Sequence, residues 1–264
     1  MQEKEIIINN KKLFYLIAGE GPAVVLLHGF GGAGKRWEHQ YNTIKNFQFI
    51  VPDLPGSGQS EIIEDMSMEG LAESVYQLLQ QLKVDKCTMI GHSMGGYITL
   101  AFVEKHPEMI ESYGLFHSSA FADTDEKKAG RKKTIETIEE NGVVSFLKTF
   151  VPGLYSDGFK QEHPKEIENH LTGVTSISQA AIISYLQSMI ERPDRTNVLK
   201  QNKIPVLFVL GKKDSIIPFK DMLTLASMTE ISYIHVLEHS GHMGMIEEPE
   251  KSNQILNKFL LKAI

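Results

Sequence analysis

Short, nearly unbroken apolar runs at residues 23–27, 47–51, 87–90, 113–116 and 206–210 alternate with stretches of helical periodicity. A strand with one wet face shows every second position polar, so a run that is apolar throughout must be covered on both faces. This pattern predicts a mostly parallel α/β sheet with helices packed against it. Before the first of these runs, residues 5–8 and 13–18 are apolar and β-prone, separated by Asn9-Asn10-Lys11-Lys12, so the chain is predicted to open with an antiparallel hairpin. Helices are predicted over 68–83, with Leu71, Val75, Leu78, Leu79 and Leu82 on one face, and over 94–106, stopping at His106-Pro107.

The alternation lapses between about Ala120 and Asn197, where Lys- and Glu-rich helical stretches (125–140, 162–171 and 176–191) occur without a strand. This reads as a helical insertion, dividing the chain into a core at 1–119, an insertion at 120–197 and a second part of the core at 198–264. Its Phe121, Phe146, Phe150, Leu154 and Tyr155 either pack its own helices or line a pocket.

At 264 residues the chain has enough apolar material for one large core, and its net charge of −6 offers no basic block to a phosphate backbone. Nucleic acid is therefore not an expected partner. The single cysteine, Cys87, sits in a buried-strand pattern and reads as core. The Met-Gln-Glu-Lys-Glu start lacks a secretory pattern, and no apolar stretch approaches the ~18 residues that span a bilayer, so a cytoplasmic protein without membrane insertion is expected. Nothing in the sequence specifies an oligomeric state.

The candidate chemistry begins at Gly91-His92-Ser93-Met94-Gly95, placed after one predicted strand and before a predicted helix. A sharp strand-to-helix turn lifts a serine hydroxyl clear of the sheet, and flanking glycines let the backbones approach closely. A serine hydroxyl needs a base to take its proton, and the base needs a third group to fix its tautomer. Asp214 follows the run 206–210 in Gly211-Lys212-Lys213-Asp214, and His242 follows the β-like run 231–237 in His239-Ser240-Gly241-His242. Carboxyl ends of parallel strands lie on one side of a sheet, so Ser93, His242 and Asp214 can meet as nucleophile, base and orienting acid. Asp123 is the alternative acid. The oxyanion would take backbone N–H groups of Met94, at a helix start, and of Phe30, in the loop after residues 23–27.

These motifs, with His28-Gly29-Phe30-Gly31 and Asp53-Leu54-Pro55-Gly56-Ser57-Gly58, resemble the α/β-hydrolase fold family, specifically a small serine esterase or lipase-like member with a helical cap. The order Ser, Asp, His along the chain is the order expected there. The resemblance implies an eight-stranded, mostly parallel sheet flanked by helices, a cap inserted after the sixth strand near Ser118, and no cofactor. It implies hydrolysis of a small to medium, largely apolar carboxylic ester through an acyl-enzyme. Candidate substrate contacts are Phe30, Trp37, His92 and Phe121, together with Phe146, Phe150, Ile217 and Met243. Relatives that open epoxides or displace halide carry aspartate where this chain has Ser93, and many that cleave carbon–carbon bonds carry tryptophan where Met243 follows the histidine. A cofactor-free perhydrolase or haloperoxidase, a carbon–carbon bond hydrolase, or a ligand receptor with slow turnover would use the same residues.

Two motifs compete with this reading. Gly29-Phe30-Gly31-Gly32-Ala33-Gly34 with Asp53 fits a dinucleotide-binding loop but leaves the later Ser, Asp and His elements as coincidence. Followed by Lys35, the same loop mimics a P-loop, yet Arg36 stands where Ser or Thr must hold magnesium. His235, His239 and His242 lie on a strand and a loop without the one rigid face that zinc needs, so no metal is expected. Asp53 is expected to shape its own loop, and Trp37 and His117 to pack near the pocket rim or the core.

Overall fold

The computed structural model describes residues 1–174 and 177–263. Its strands are β1 (Gln2–Ile8), β2 (Lys11–Ala18), β3 (Ala23–Leu27), β4 (Gln48–Pro52), β5 (Cys87–His92), β6 (Ile110–Phe116), β7 (Val206–Gly211) and β8 (Ser232–Leu237). They form one sheet in the order β1-β2-β4-β3-β5-β6-β7-β8. β2 runs antiparallel to both its neighbours, and the pairings from β4 across to β8 are parallel. The apolar runs fit the order: β5 and β7, inside the sheet, are buried at every position, while β8, at the sheet edge, is only partly buried and leaves Ile234 exposed.

The opening hairpin is tighter than the four polar residues suggest. Only Asn9 and Asn10 form the turn, both left-handed at φ 51° and 62°, and Lys11 already pairs with Ile8. A two-residue turn with positive φ at both positions matches the twist of the strands, and asparagine tolerates that backbone better than most residues.

Helix Met68–Gln81 starts where the Ser67 hydroxyl accepts from Gly70 N–H at 3.0 Å, and it buries Leu71, Val75, Leu78 and Leu79. It packs against Met94–Lys105, which in turn meets Thr196–Gln201. A second group pairs Glu38–Thr43 with Pro249–Ala263. Between β6 and β7 the chain forms helices Asp125–Asn141, Val143–Gly153, Asp157–Glu162, Pro164–Val174 and Gln179–Glu191, with no strand among the described residues. The helix expected over 162–171 is divided at His163, because Pro164 cannot continue a helix but readily begins one. Ser176, at the start of the third predicted helix of this segment, and Ile264 lie outside the described residues. No helix among the described residues is long and apolar enough to cross a membrane.

Candidate active site

Ser93 joins β5 to helix Met94–Lys105 with φ 52° and ψ −119°, a conformation that costs a non-glycine residue about 1–3 kcal/mol and persists only when its surroundings enforce it. Here they do. Ser93 N–H donates to the Phe116 carbonyl at 3.0 Å, and the Ser93 carbonyl accepts from Ser118 Oγ at 2.7 Å and from Gly96 N–H at 2.9 Å. A Cβ on Gly95 would stand 2.5 Å from the Leu27 carbonyl oxygen, so β3 can lie against this turn only if that position is glycine.

Asp214 and His242 arrive from the carboxyl ends of β7 and β8. His242 Nδ1 donates to Asp214 Oδ2 at 2.8 Å, and Ile216 and Ile217 N–H groups donate to Asp214 Oδ1 at 2.8 and 3.0 Å. The His242 main chain is clamped as well, its N–H donating to the Leu154 carbonyl and its own carbonyl accepting from His92 Nε2, each at 2.8 Å. His92 is therefore the Nε2–H tautomer, and its pKa lies well below the ordinary histidine value, because burial, then the nearby His242 and His117, disfavour its charge. It lies beneath the base as a neutral strut.

A third histidine, which the sequence reading placed only near the rim or core, belongs to this cluster. His117, immediately after β6 and left-handed at φ 48°, directs Nδ1 at Asp214 Oδ2 over 3.0 Å. Its place at a strand's carboxyl end, like those of Asp214 and His242, is the signal that could have found it. Since both rings donate from Nδ1 to one oxygen, neither offers a lone pair there to a shared cation, although the three side chains are close enough to suggest a metal group. Asp123, the alternative acid, is held instead by Arg131 Nε at 2.5 Å and Arg192 NH2 at 2.9 Å.

Burial opposes ionisation of Asp214, but the charge of His242 and hydrogen bonds from His117 and His242 outweigh it and hold the carboxyl well below the usual range. A carboxylate depressed in the folded state contributes stability that is complete above its unfolded pKa of about 3.9 and is lost as pH falls from there towards the folded value. Urea midpoints measured from pH 7 to pH 3 should therefore decline more steeply below about pH 4 in the wild type than in Asp214→Asn. Parallel profiles would show that Asp214 is not a source of the acid sensitivity.

The loop after β3 lies directly against Ser93. A Cβ on Gly29 would meet Ser93 Cβ at 3.1 Å, so the Gly29 backbone lies against Ser93, and Phe30 follows it into the same cavity. His28 and Asp53 hold that loop: His28 Nε2 accepts from Leu54 N–H at 2.9 Å, and Asp53 accepts from Gly34 N–H at 2.7 Å and Gln59 N–H at 2.9 Å. Met94 N–H is the first of its helix, where no carbonyl of an earlier turn can accept it. Cys87 is buried, and burial pushes its thiol up to about 12, away from any nucleophilic role.

Ser93 and His242 open into a cavity of about 420 Å³, within the range of small-molecule sites. Phe30, His92, Phe121 and Met243 line it, as do Phe146, Phe150 and Ile217, joined by Leu186 and Met189, which the sequence reading did not single out. Phe30 packs edge-on against Phe150 at 5.4 Å and Phe146 at 6.2 Å, so the loop after β3 and the helical segment share one wall. As a substrate contact Trp37 is a correction. It is fully buried between His92 and Phe116, at ring separations of 6.4 and 5.3 Å, and does not reach the cavity.

Residues 22–249 match the alpha/beta hydrolase fold family. The structure superposes with a TM-score of 0.91 on a thermophilic esterase from Thermogutta terrifontis in a malate-bound structure, at 28% identity, covering 100% of this chain and 99% of that one. The chain is 27% identical over 249 residues to a pimeloyl-[acyl-carrier protein] methyl ester esterase of Aeromonas salmonicida, covering 92% of this chain and 96% of that protein. It is also 27% identical over 254 residues to a protein of Agrobacterium fabrum named, as a provisional assignment, carbamate hydrolase RutD, covering 92% of this chain and 95% of that protein.

Proposed function

The chain belongs to the alpha/beta hydrolase fold family, and from that premise we propose that it is a serine hydrolase cleaving a small to medium carboxylic ester through an acyl-enzyme. The observation that carries this reading is the 2.8 Å bond from His242 Nδ1 to Asp214 Oδ2, in a cavity that Ser93 also lines. Nδ1 keeps its proton on the carboxylate, which leaves Nε2 to take the Ser93 proton as Oγ attacks the carbonyl. Phe30 and Met94 N–H groups hold the oxyanion, and His242 then protonates the leaving group. Water repeats the cycle on the acyl-enzyme. A panel of p-nitrophenyl esters of increasing acyl length, with and without peroxide, tests the reading. Ester turnover without peroxide supports it, and peroxide-dependent acyl transfer alone would replace hydrolysis by perhydrolysis.

In the same reading residues 120–197 act as a cap that sets chain-length preference without supplying chemistry. Phe146 and Phe150, one turn apart on Val143–Gly153, stack at 5.1 Å on the cavity wall. Changing both to alanine should move the preferred acyl chain towards greater length, since pocket walls discriminate methylenes by only ~1–3 kcal/mol each. Fluorophosphonate labelling of Ser93 should fall far less than a triad substitution would cause. An unchanged chain-length profile in a folded double variant would mean that these rings pack only their own helices.

A further inference from the structure

The sequence contains four arginines, and three of them have carboxylate partners. Arg131 and Arg192 bind Asp123, and Arg195 binds Glu69 and Glu104. Arg36 is the exception. It lines the same cavity as Ser93, yet among the described residues its guanidinium meets no carboxylate at ion-pair distance, and its one hydrogen bond runs from NH2 to the His170 carbonyl at 3.3 Å. Glu166, one helical turn before His170, is exposed and lies beyond that distance. A guanidinium has five N–H donors in a fixed fork, and one long bond to a neutral oxygen leaves most of them unsatisfied. Arg36 is half-buried on the cavity wall, and its burial, partly offset by Tyr155 and Glu166, lowers its pKa from the ordinary arginine value.

The exposed Glu166 favours the charge of Arg36 from beyond ion-pair distance, and the side chains packed closer to it are neutral. His170 and Tyr155 face each other across a 2.7 Å hydrogen bond between Tyr155 OH and His170 Nδ1. Burial, then the charge of Arg36, push the His170 pKa down to about 2, while burial raises that of Tyr155, so both are neutral near pH 7. Arg36 is thus the cation of the corner, with no carboxylate bound to it. The corner is also near the chemistry, because the Leu154 carbonyl next to Tyr155 accepts from the His242 N–H. Trp37, the next residue along the chain, packs against His92 beneath the site.

We propose that Arg36 is the anchor of a carboxylate subsite in the active-site cavity, so that the preferred substrates are esters bearing a second, free carboxylate. The planar fork suits a carboxylate bidentately, and the apolar wall of Phe30, Phe146 and Phe150 takes the methylenes between acid and ester. The proposal rests on the serine-hydrolase reading for the reaction but not for the binding.

The test compares monoethyl succinate, glutarate and adipate with the ethyl esters of the corresponding half-amides, which match them in length and lack the charge. In the wild type kcat/KM should favour at least one acid over its amide by roughly 10- to 100-fold, the scale of a hydrogen bond to a charged group. Arg36→Gln, which keeps an N–H donor for the His170 carbonyl, should bring that ratio close to one, and Arg36→Lys, a point charge without the fork, should restore part of it. Absence of the preference in the wild type, or its survival in Arg36→Gln, overturns the proposal. Trp37 is the sole tryptophan, so its fluorescence supplies a readout that needs no turnover. Titration with glutarate and adipate should change it saturably in the wild type and not in Arg36→Gln. If no ester is cleaved and a fluorophosphonate leaves Ser93 unlabelled, the hydrolase reading fails while the titration still decides the subsite. If esters are cleaved without preference and the titration is flat, the subsite fails while the hydrolase reading stands.

Discussion

Ser93→Ala is expected to lower ester turnover by roughly 10⁴- to 10⁶-fold, the scale seen when a triad nucleophile is removed. The substitution isolates the hydroxyl unusually well. Alanine keeps the Cβ, so it meets the same steric environment at φ 52° and ψ −119°, and the bonds that hold the turn run through the Ser93 backbone. The folded structure should therefore persist, with urea midpoints within the scatter of surface variants, while the covalent step disappears. Residual hydrolysis would come from Phe30 and Met94 N–H groups acting on water delivered by His242. A fluorophosphonate should add one mass equivalent to the wild-type chain at the peptide containing Ser93 and none to the variant. Labelling at another residue, or undiminished turnover in a folded variant, would remove Ser93 from the mechanism.

The apolar runs were sufficient to place the sheet, because a strand covered on both faces has no polar alternative in its sequence. The core of the candidate site was legible for a related reason: Ser93 and Asp214 follow such runs, His242 follows the β-like edge run 231–237, and carboxyl ends of parallel strands converge. What escaped depends on partners distant in the chain. His117 also follows a strand, but its role exists only because Asp214, from the next strand, turns Oδ2 towards it. Trp37 beside a glycine-rich loop reads as either pocket rim or core, and only the side-by-side carboxyl ends of β5 and β6, which bring His92 and Phe116 to its ring, decide for the core. The isolation of Arg36 is likewise invisible in a sequence where Glu38 is two positions away. It emerges when the neighbours prove to be a backbone carbonyl and a neutral histidine from a remote helix.

Asp214→Asn is expected to reduce turnover by about 10⁴-fold, the cost of holding the catalytic imidazole in the wrong tautomer. The hydrogen bonds around Asp214 indicate why the amide cannot escape that outcome. Oδ1 accepts from two backbone donors, Ile216 and Ile217 N–H, and these require an oxygen at that position. The asparagine oxygen therefore stays there, and its NH2 group occupies the Oδ2 position, facing His117 Nδ1 and His242 Nδ1. Two donors cannot face each other at hydrogen-bond distance, so His242 moves its proton to Nε2 and can no longer accept one from Ser93. Nitrogen-15 chemical shifts of labelled histidine should report this exchange of tautomers directly. Asp123→Asn makes the opposite test. Its partners are Arg131 and Arg192, and Arg192 is nearly fully buried, so the variant should lose stability through an unpaired guanidinium while turnover changes little. If Asp123→Asn instead abolishes turnover and leaves the fold intact, while Asp214→Asn remains active, the acid that orients His242 belongs after β6 and not after β7.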